Sequence, residues 1–172
     1  MHCNWVDLTP FIDKCTEYAT EVDKLKLGFV SSNYLNQSPH LFGKLGESLF
    51  GHLFNMPVNY TVQYRGDDGV DFKLNGWVID VKSTVYWKQP DLKEFPNLTH
   101  VPDVYVLAAI DPERMRGRLV GFCSALRLLS VPPTDYKGLG KRYWVSGDML
   151  CKDWLMLDSH STKYPKTTCL VS

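Results

Sequence analysis

Two aspartates and a lysine stand close together in the segment from Gly66 to Thr84, which reads GDDGVDFKLNGWVIDVKST. Asp71 is followed by eight residues and then Asp80, and a single valine separates Asp80 from Lys82. Carboxylate oxygens are the ligands that hard divalent cations prefer, and an ammonium group stabilises developing negative charge. Held over one point, these three side chains could support metal-assisted hydrolysis of a phosphodiester.

A hairpin would bring the two aspartates together. Asn75-Gly76 lies between two apolar-rich runs, which predicts a two-residue turn of type I′. In that register Phe72 faces Ile79 and Asp71 faces Asp80. Like charges placed directly opposite one another repel. A divalent cation bound between the aspartates would turn that repulsion into attraction.

The same register separates polar from apolar side chains, since residues alternate along a strand. Lys82 falls on the polar face with both aspartates. Two interpretations are open at this point, a metal site and a solvated hairpin face. The apolar face, which we expect to belong to the core, carries Val70, Phe72, Leu74, Trp77, Ile79 and Val81.

Asp71, Asp80 and Lys82 resemble the D-x(n)-(D/E)-x-K signature of the PD-(D/E)xK nuclease superfamily, with Val70 in place of its proline. The resemblance implies an α/β (α+β) fold with a restriction-endonuclease-like core, in which helices flank a mixed central sheet carrying a catalytic antiparallel hairpin. It also implies a Mg²⁺- (or Mn²⁺-) dependent endonuclease that hydrolyses phosphodiester bonds in DNA. Asp71, Asp80 and the backbone carbonyl of Val81 would hold the metal, and Lys82 would orient or deprotonate the attacking water.

Glu47 is a further candidate, because it is the one acid in an apolar helix predicted from His40 to Phe54. An unpaired carboxylate is expensive in such surroundings. The resemblance favours a Glu47 that points to the cleft beside Asp71 and Asp80 and completes the metal site. The alternative is a solvated glutamate paired with Lys44.

The remaining elements follow from hydrophobic periodicity and turn residues. The near-continuous apolar run at 103–110 predicts a central strand buried on both faces. We expect one domain over 1–172, with an N-terminal packing helix in 1–28, a core in 40–123 and a C-terminal extension in 124–172. The other predicted elements are a helix from Thr9 to Leu27, strands at 59–64 and 118–123, a short helix at 124–129 and a helical turn at 146–151.

Basic and aromatic residues outside the hairpin predict contacts with nucleic acid. Residues 85–100 read as an irregular loop that either contacts a sugar–phosphate backbone or folds on its own aromatic side chains. Asp68, in a glycine-rich turn, is a possible auxiliary metal contact. The candidate nucleic-acid-binding residues are Lys88, Gln89, Lys93, Lys137, Lys141 and Arg142.

Composition limits the function classes. The 172 residues have a formal net charge of zero, which argues against a general nucleic-acid coat protein. The five cysteines show no C-x-x-C spacing and fit reduced thiols, and no signal peptide or membrane span is predicted. We therefore expect a cytoplasmic protein that acts on double-stranded or branched DNA as a homodimer or higher homo-oligomer. The alternative is a non-catalytic nucleic-acid-binding or assembly protein with the same fold.

Overall fold

A five-stranded sheet forms the centre of the molecule, and the computed structural model describes residues 4–27, 38–62, 70–138 and 140–158 of the chain. The helices are α1 (Ile12–Leu27), α2 (Pro39–Leu53), α3 (Ala125–Leu129) and α4 (Leu155–Asp158), with 3-10 turns at Thr9–Phe11 and Gly147–Met149. The strands are β1 (Val6–Asp7), β2 (Phe72–Leu74), β3 (Trp77–Thr84), β4 (Asp91–Glu94), β5 (Val104–Asp111), β6 (Arg116–Ser124), β7 (Thr134–Asp135) and β8 (Lys141–Ser146).

The central sheet is mixed and has the strand order β1-β6-β5-β3-β2. The β3–β5 pair is parallel and the other neighbours are antiparallel. All eight residues of β5 are buried, as its apolar run predicts. A smaller sheet has the order β4-β8-β7. The protein is therefore of the mixed α/β class that the sequence predicts.

The hairpin between β2 and β3 has the predicted turn and register. Asn75 and Gly76 both have positive φ, 50° and 83°, as a type I′ turn requires. Phe72 pairs with Ile79, and Leu74 pairs with Trp77. The face that carries these four residues packs into the main core, as expected.

Helices α1 and α2 cover the face of the central sheet that carries Ile79 and Val81. Ser38 caps α2 by accepting a hydrogen bond from the His40 N–H at 3.3 Å. A β-carbon added at Gly46 would lie 1.9 Å from Ser83 Oγ of β3, so the glycine permits close approach of helix and sheet.

The opposite face of the central sheet packs against the smaller sheet and α3. Leu92 of β4 is fully buried there, in a second cluster with Tyr105 and Leu107 of β5. Val145 of β8 packs against the same cluster. The central sheet is thus covered on both faces.

Two predictions about the connecting segments are wrong. Of the strand predicted at 59–64, residues 59–62 are not in a strand; there the Asn59 side chain accepts the Thr61 N–H, and the Asn59 carbonyl accepts from Lys44. The segment 85–100 is not wholly irregular, since it contains β4, which pairs with β8. Residues 63–69, including Asp68, lie outside the described residues.

Three of the five cysteines lie among the described residues. Cys15, Cys123 and Cys151 carry free thiols. In the part of the chain that the structure describes, every helix is too short or too polar to cross a bilayer.

Candidate functional site

Asp71 lies at the point where the β2–β3 ladder ends. The prediction that Asp71 pairs directly with Asp80 is wrong, because the ladder stops at Phe72 and Ile79. The Asp71 N–H donates to the Ile79 carbonyl at 3.0 Å. The Asp71 side chain accepts the Val81 N–H through Oδ2 at 2.7 Å. The Asp71 carboxylate therefore accepts the Val81 N–H, as a backbone carbonyl of a paired strand would do.

The Val81 backbone presents two groups toward Asp71. In a strand, the N–H and C=O of one residue point to the same neighbouring strand. The Val81 carbonyl therefore faces the same edge of β3 as its N–H. This edge is where the sequence places a metal held by Asp71, Asp80 and the Val81 carbonyl.

Lys82 and Asp80 project from the other face of β3, away from α2. The Lys82 ammonium lies 2.8 Å from Asp80 Oδ2 and 2.8 Å from Glu94 Oε2 of β4. The side chains of Asp80 and Glu94 are only 9% and 8% exposed, whereas that of Lys82 is 32% exposed. One partly accessible cation is thus held between two buried carboxylates. We call Asp80, Lys82 and Glu94 the Lys82 cluster.

Electrostatics keeps the Lys82 amine protonated. Burial alone lowers the pKa of Lys82, but the charges and hydrogen bonds of Asp80 and Glu94 outweigh it and raise that pKa above its ordinary value. Lys82 is therefore suited to stabilise negative charge. Deprotonation of the attacking water, the other role that the sequence allowed, would require the neutral amine.

Tyr105 of β5 lies beneath the Lys82 cluster. The Lys82 ammonium is 5.8 Å from the centre of the Tyr105 ring. Burial and the charges of Glu94 and Asp80 raise the pKa of Tyr105. Its hydroxyl oxygen is buried without a hydrogen-bond partner among the described residues.

Glu47 lies on the helical side of the sheet, where it forms an ion pair and a hydrogen bond with Lys44. The Lys44 ammonium also donates to the Asn59 carbonyl at 3.0 Å and lies 4.2 Å from the centre of the Tyr18 ring. We call Lys44, Glu47, Asn59 and Tyr18 the Lys44 cluster. The Lys44 pairing that the sequence left as an alternative is thus present, but in a nearly buried setting.

Asp71 connects to the Lys44 cluster through its charge. Burial alone lowers the pKa of Lys44, whereas the charges of Glu47, Tyr18 and Asp71 raise it, and the net pKa is raised. Glu47 and Asp71 therefore act on one ammonium group. Glu94, rather than Glu47, is the glutamate that contacts Lys82.

Whether the predicted residues suit a metal ion depends first on the chemical kind of their ligand atoms. Among the described residues, no group of three or more His, Cys, Asp and Glu side chains is arranged to hold a metal ion. The expected set consists of two carboxylates, from Asp71 and Asp80, and the Val81 carbonyl. Mg²⁺ commonly binds one or two carboxylates and keeps several waters. The donors match Mg²⁺ in chemical kind, but the Asp71 carboxylate is bonded to the Val81 N–H and the Asp80 carboxylate to Lys82 on the other face of β3.

A cleft of about 700 Å³ opens beside Lys82 and also contacts Phe42 of α2 and Lys93 of β4. A neighbouring groove of about 710 Å³ shares Tyr86 and Lys93 with this cleft. The two spaces are therefore adjacent, and Lys82 lines the first but not the second. We call the second space the aromatic groove.

Four predicted nucleic-acid-binding residues meet at the aromatic groove, and these are Lys88, Gln89, Lys93 and Lys137. The other two, Lys141 and Arg142, begin β8 and do not line it. The Arg142 guanidinium lies 3.9 Å from the centre of the Phe95 ring.

The sequence analysis missed Glu94 and Tyr105, and it considered Lys44 only as a solvated partner of Glu47. Glu94 belongs to β4, where Leu92 and Glu94 alternate with the less buried Asp91 and Lys93. This alternation is not visible in the sequence, because Leu92 is the only apolar residue of Asp91–Glu94. No local signal in the sequence indicates that Glu94 meets Lys82.

Comparison of the chain with known protein families, curated proteins and solved structures finds no match.

Proposed function

We propose that this protein is a metal-dependent endonuclease that hydrolyses phosphodiester bonds in DNA, built on a restriction-endonuclease-like core. The observation that carries the proposal is the position of Lys82. Its ammonium is held by Asp80 and Glu94, and Lys82 lines a cleft that adjoins a basic and aromatic groove. A phosphodiester chain lying in the groove would reach Lys82 with its negative charge.

Each side chain has a separate task in this proposal. Asp80 and Glu94 hold the Lys82 ammonium in place, and Lys82 stabilises the charge that develops on the phosphate. Asp71, Asp80 and the Val81 carbonyl supply oxygen ligands. A bound Mg²⁺ (or Mn²⁺) would polarise the phosphate and lower the pKa of a bound water.

Glu47 remains a proposed contributor to the site. It shares Lys44 with the charge of Asp71, so it would tune and position Asp71 from the helical side. Asp68, the proposed auxiliary metal contact, lies outside the described residues.

The substrate contacts and the assembly belong to the same proposal. Lys88, Gln89, Lys93 and Lys137 would hold the phosphate backbone in the groove, with Lys141 and Arg142 beyond its rim. Double-stranded or branched DNA is the proposed partner. A homodimer would place two sites on the two strands of a duplex, and sedimentation with and without DNA tests that assembly.

A second candidate is a nucleic-acid-binding or assembly protein with the same fold and no catalysis. Two observations favour it. Both acids of the Lys82 cluster are engaged by one lysine, and the described residues contain no group of three metal-binding side chains. The groove would then serve binding alone.

Cleavage assays separate the two candidates. Plasmid, linear, single-stranded and branched DNA are incubated with Mg²⁺, with Mn²⁺ and with EDTA. We expect metal-dependent cleavage by the wild-type protein and by Asp13→Asn, which changes an exposed acid on α1. Asp80→Asn should abolish it. Cleavage that persists in EDTA, or in Asp80→Asn, would contradict the nuclease, and binding without cleavage of any substrate would favour the second candidate.

A further inference from the structure

Tyr86 is an unusually exposed aromatic residue at the aromatic groove. It is 69% exposed, although large aromatic side chains contribute most when they are buried. Trp87, the next residue, packs edge-to-face against Trp5 at 5.8 Å between ring centres and also lines the groove. The Tyr86 ring therefore presents surface that the fold itself does not use.

One lysine lies near this ring, and further lysines lie near the neighbouring rings of the groove. The Lys93 ammonium lies 5.4 Å from the centre of the Tyr86 ring and 4.5 Å from that of Tyr136. Lys88 lies 5.3 Å from the Trp87 ring, and Lys137 lies 5.0 Å from the Tyr136 ring. In the described part of the chain, neither Lys88 nor Lys93 forms an ion pair, whereas Lys137 pairs with Asp91 at 3.2 Å.

The lysines also act on one another. Burial is the largest effect that lowers the pKa of Lys93, and the charges of Lys137 and Arg142 lower it further against the opposing effect of Asp91. Positive charge is therefore crowded around the groove although the whole chain has a formal net charge of zero. An anion that entered the groove would relieve this crowding.

A ligand that suits this groove has flat rings that can stack on the tyrosine and negative charges that can pair with the lysines. In single-stranded nucleic acid, the bases are free to stack on aromatic side chains while lysines neutralise the phosphates. In a duplex, the base faces are already stacked on one another, and exposing one costs a few kcal/mol. An exposed tyrosine among lysines therefore favours an unpaired strand.

We infer that the aromatic groove binds a single-stranded segment of nucleic acid, with one base stacked on Tyr86 and the adjacent phosphates held by Lys88 and Lys93. The inference rests on the proposed function, because the groove adjoins the cleft that contains Lys82. Of the proposed partners, double-stranded and branched DNA, it favours the unpaired part of a branch over the duplex, and it adds a free strand or a flap.

Fluorescence anisotropy in EDTA tests the inference without any cleavage. The probes are labelled dT15, rU15, a 15-base-pair duplex and an abasic chain of the same length. We expect dT15 or rU15 to bind at least tenfold more tightly than the duplex, and comparison of these two strands distinguishes DNA from RNA. Tyr86→Ala should weaken binding of the preferred strand about tenfold, since one base–aromatic stack has roughly this value.

Matched variants separate stacking from charge. Tyr86→Phe keeps the ring and should bind as the wild type does, and Tyr86→Ala should leave affinity for the abasic chain unchanged. Lys93→Ala should weaken binding of all four probes, whereas Lys73→Ala, at an exposed position of β2, should change none. Equal affinity for duplex and single strand, or an unchanged dT15 and rU15 affinity in Tyr86→Ala, would overturn the inference.

The binding test of the aromatic groove can succeed or fail separately from the proposed nuclease activity. Tight, Tyr86-dependent binding without cleavage in Mg²⁺ would sustain the inference and contradict the proposed catalysis. Metal-dependent cleavage of duplex DNA that is unaffected by Tyr86→Ala would support the proposed catalysis and contradict the inference.

Discussion

The Lys82 and Lys44 clusters lie on opposite faces of one sheet and are built from the same kinds of residue. Each lysine contacts at least one buried or nearly buried acid and lies near a tyrosine ring. The side chain of Lys44 is 4% exposed and that of Lys82 is 32% exposed. Accessibility, not residue type, therefore distinguishes them.

The difference has a physical cause. Lys44 is enclosed between α1 and α2, and its ammonium also donates to the Asn59 backbone carbonyl, which fixes the connection after α2. Lys82 lies at a cleft, and both of its hydrogen-bonding partners are carboxylates. An ammonium that closes the core stabilises the fold, whereas one held at a cleft by acids can act on an anion. The comparison favours a structural role for Lys44 and supports the proposed catalytic role of Lys82.

Lys44→Met should have the largest effect, a loss of unfolding free energy of about 3–5 kcal/mol, because removing one member of a buried ion pair strands the other. Urea denaturation followed by circular dichroism measures it. Lys73→Met, on the exposed face of the hairpin, should stay within about 0.5 kcal/mol of the wild type. A similarly small change in Lys44→Met would contradict the prediction and show that Lys44 contributes no more to stability than an exposed lysine.

Lys82→Met should lower the cleavage rate by about 10²–10³, the usual cost of removing one group that stabilises charge in the transition state. Its unfolding free energy should also fall, because the change leaves the buried carboxylates of Asp80 and Glu94 without their ammonium partner. Single-turnover cleavage and DNA binding are measured together. If affinity and cleavage fell in equal proportion, Lys82 would be a phosphate contact only.

Glu94→Gln should lower cleavage about tenfold and the unfolding free energy by about 1.5 kcal/mol, since it replaces a charged hydrogen bond to Lys82 with a neutral one. Glu47→Gln, the matched change on the Lys44 side, should lower cleavage less. The paired cleavage rates decide which glutamate supports the reaction. A larger loss in Glu47→Gln would restore Glu47 as the acid of the site.

Tyr105→Phe should have the smallest effect and the opposite sign, a gain in unfolding free energy of up to about 1 kcal/mol. The buried Tyr105 hydroxyl has no hydrogen-bond partner among the described residues, and such a group costs free energy when it is taken from water. Thermal and urea unfolding measure the change. A clear loss of stability would show that the hydroxyl is satisfied in solution.

Much of the fold could be predicted from the sequence because the relevant signals are local. Asn75 and Gly76 can adopt positive φ at low cost, so the turn and the register of Phe72 against Ile79 follow from neighbouring residues. The buried strand β5 is encoded in its own apolar run. The face that carries Ile79 and Val81 follows from strand alternation.

Only the tertiary structure decides where the charges meet. The sequence places Asp80 and Lys82 on one face of β3, but it does not indicate that Glu94 will join them, because β4 is fixed by pairing with β8, about fifty residues later. It also places Asp71 opposite Asp80, whereas the carboxylate is bound by the Val81 N–H once the ladder ends. Alternation along a strand is dictated by backbone geometry, but contact between distant side chains depends on how the sheets and helices pack.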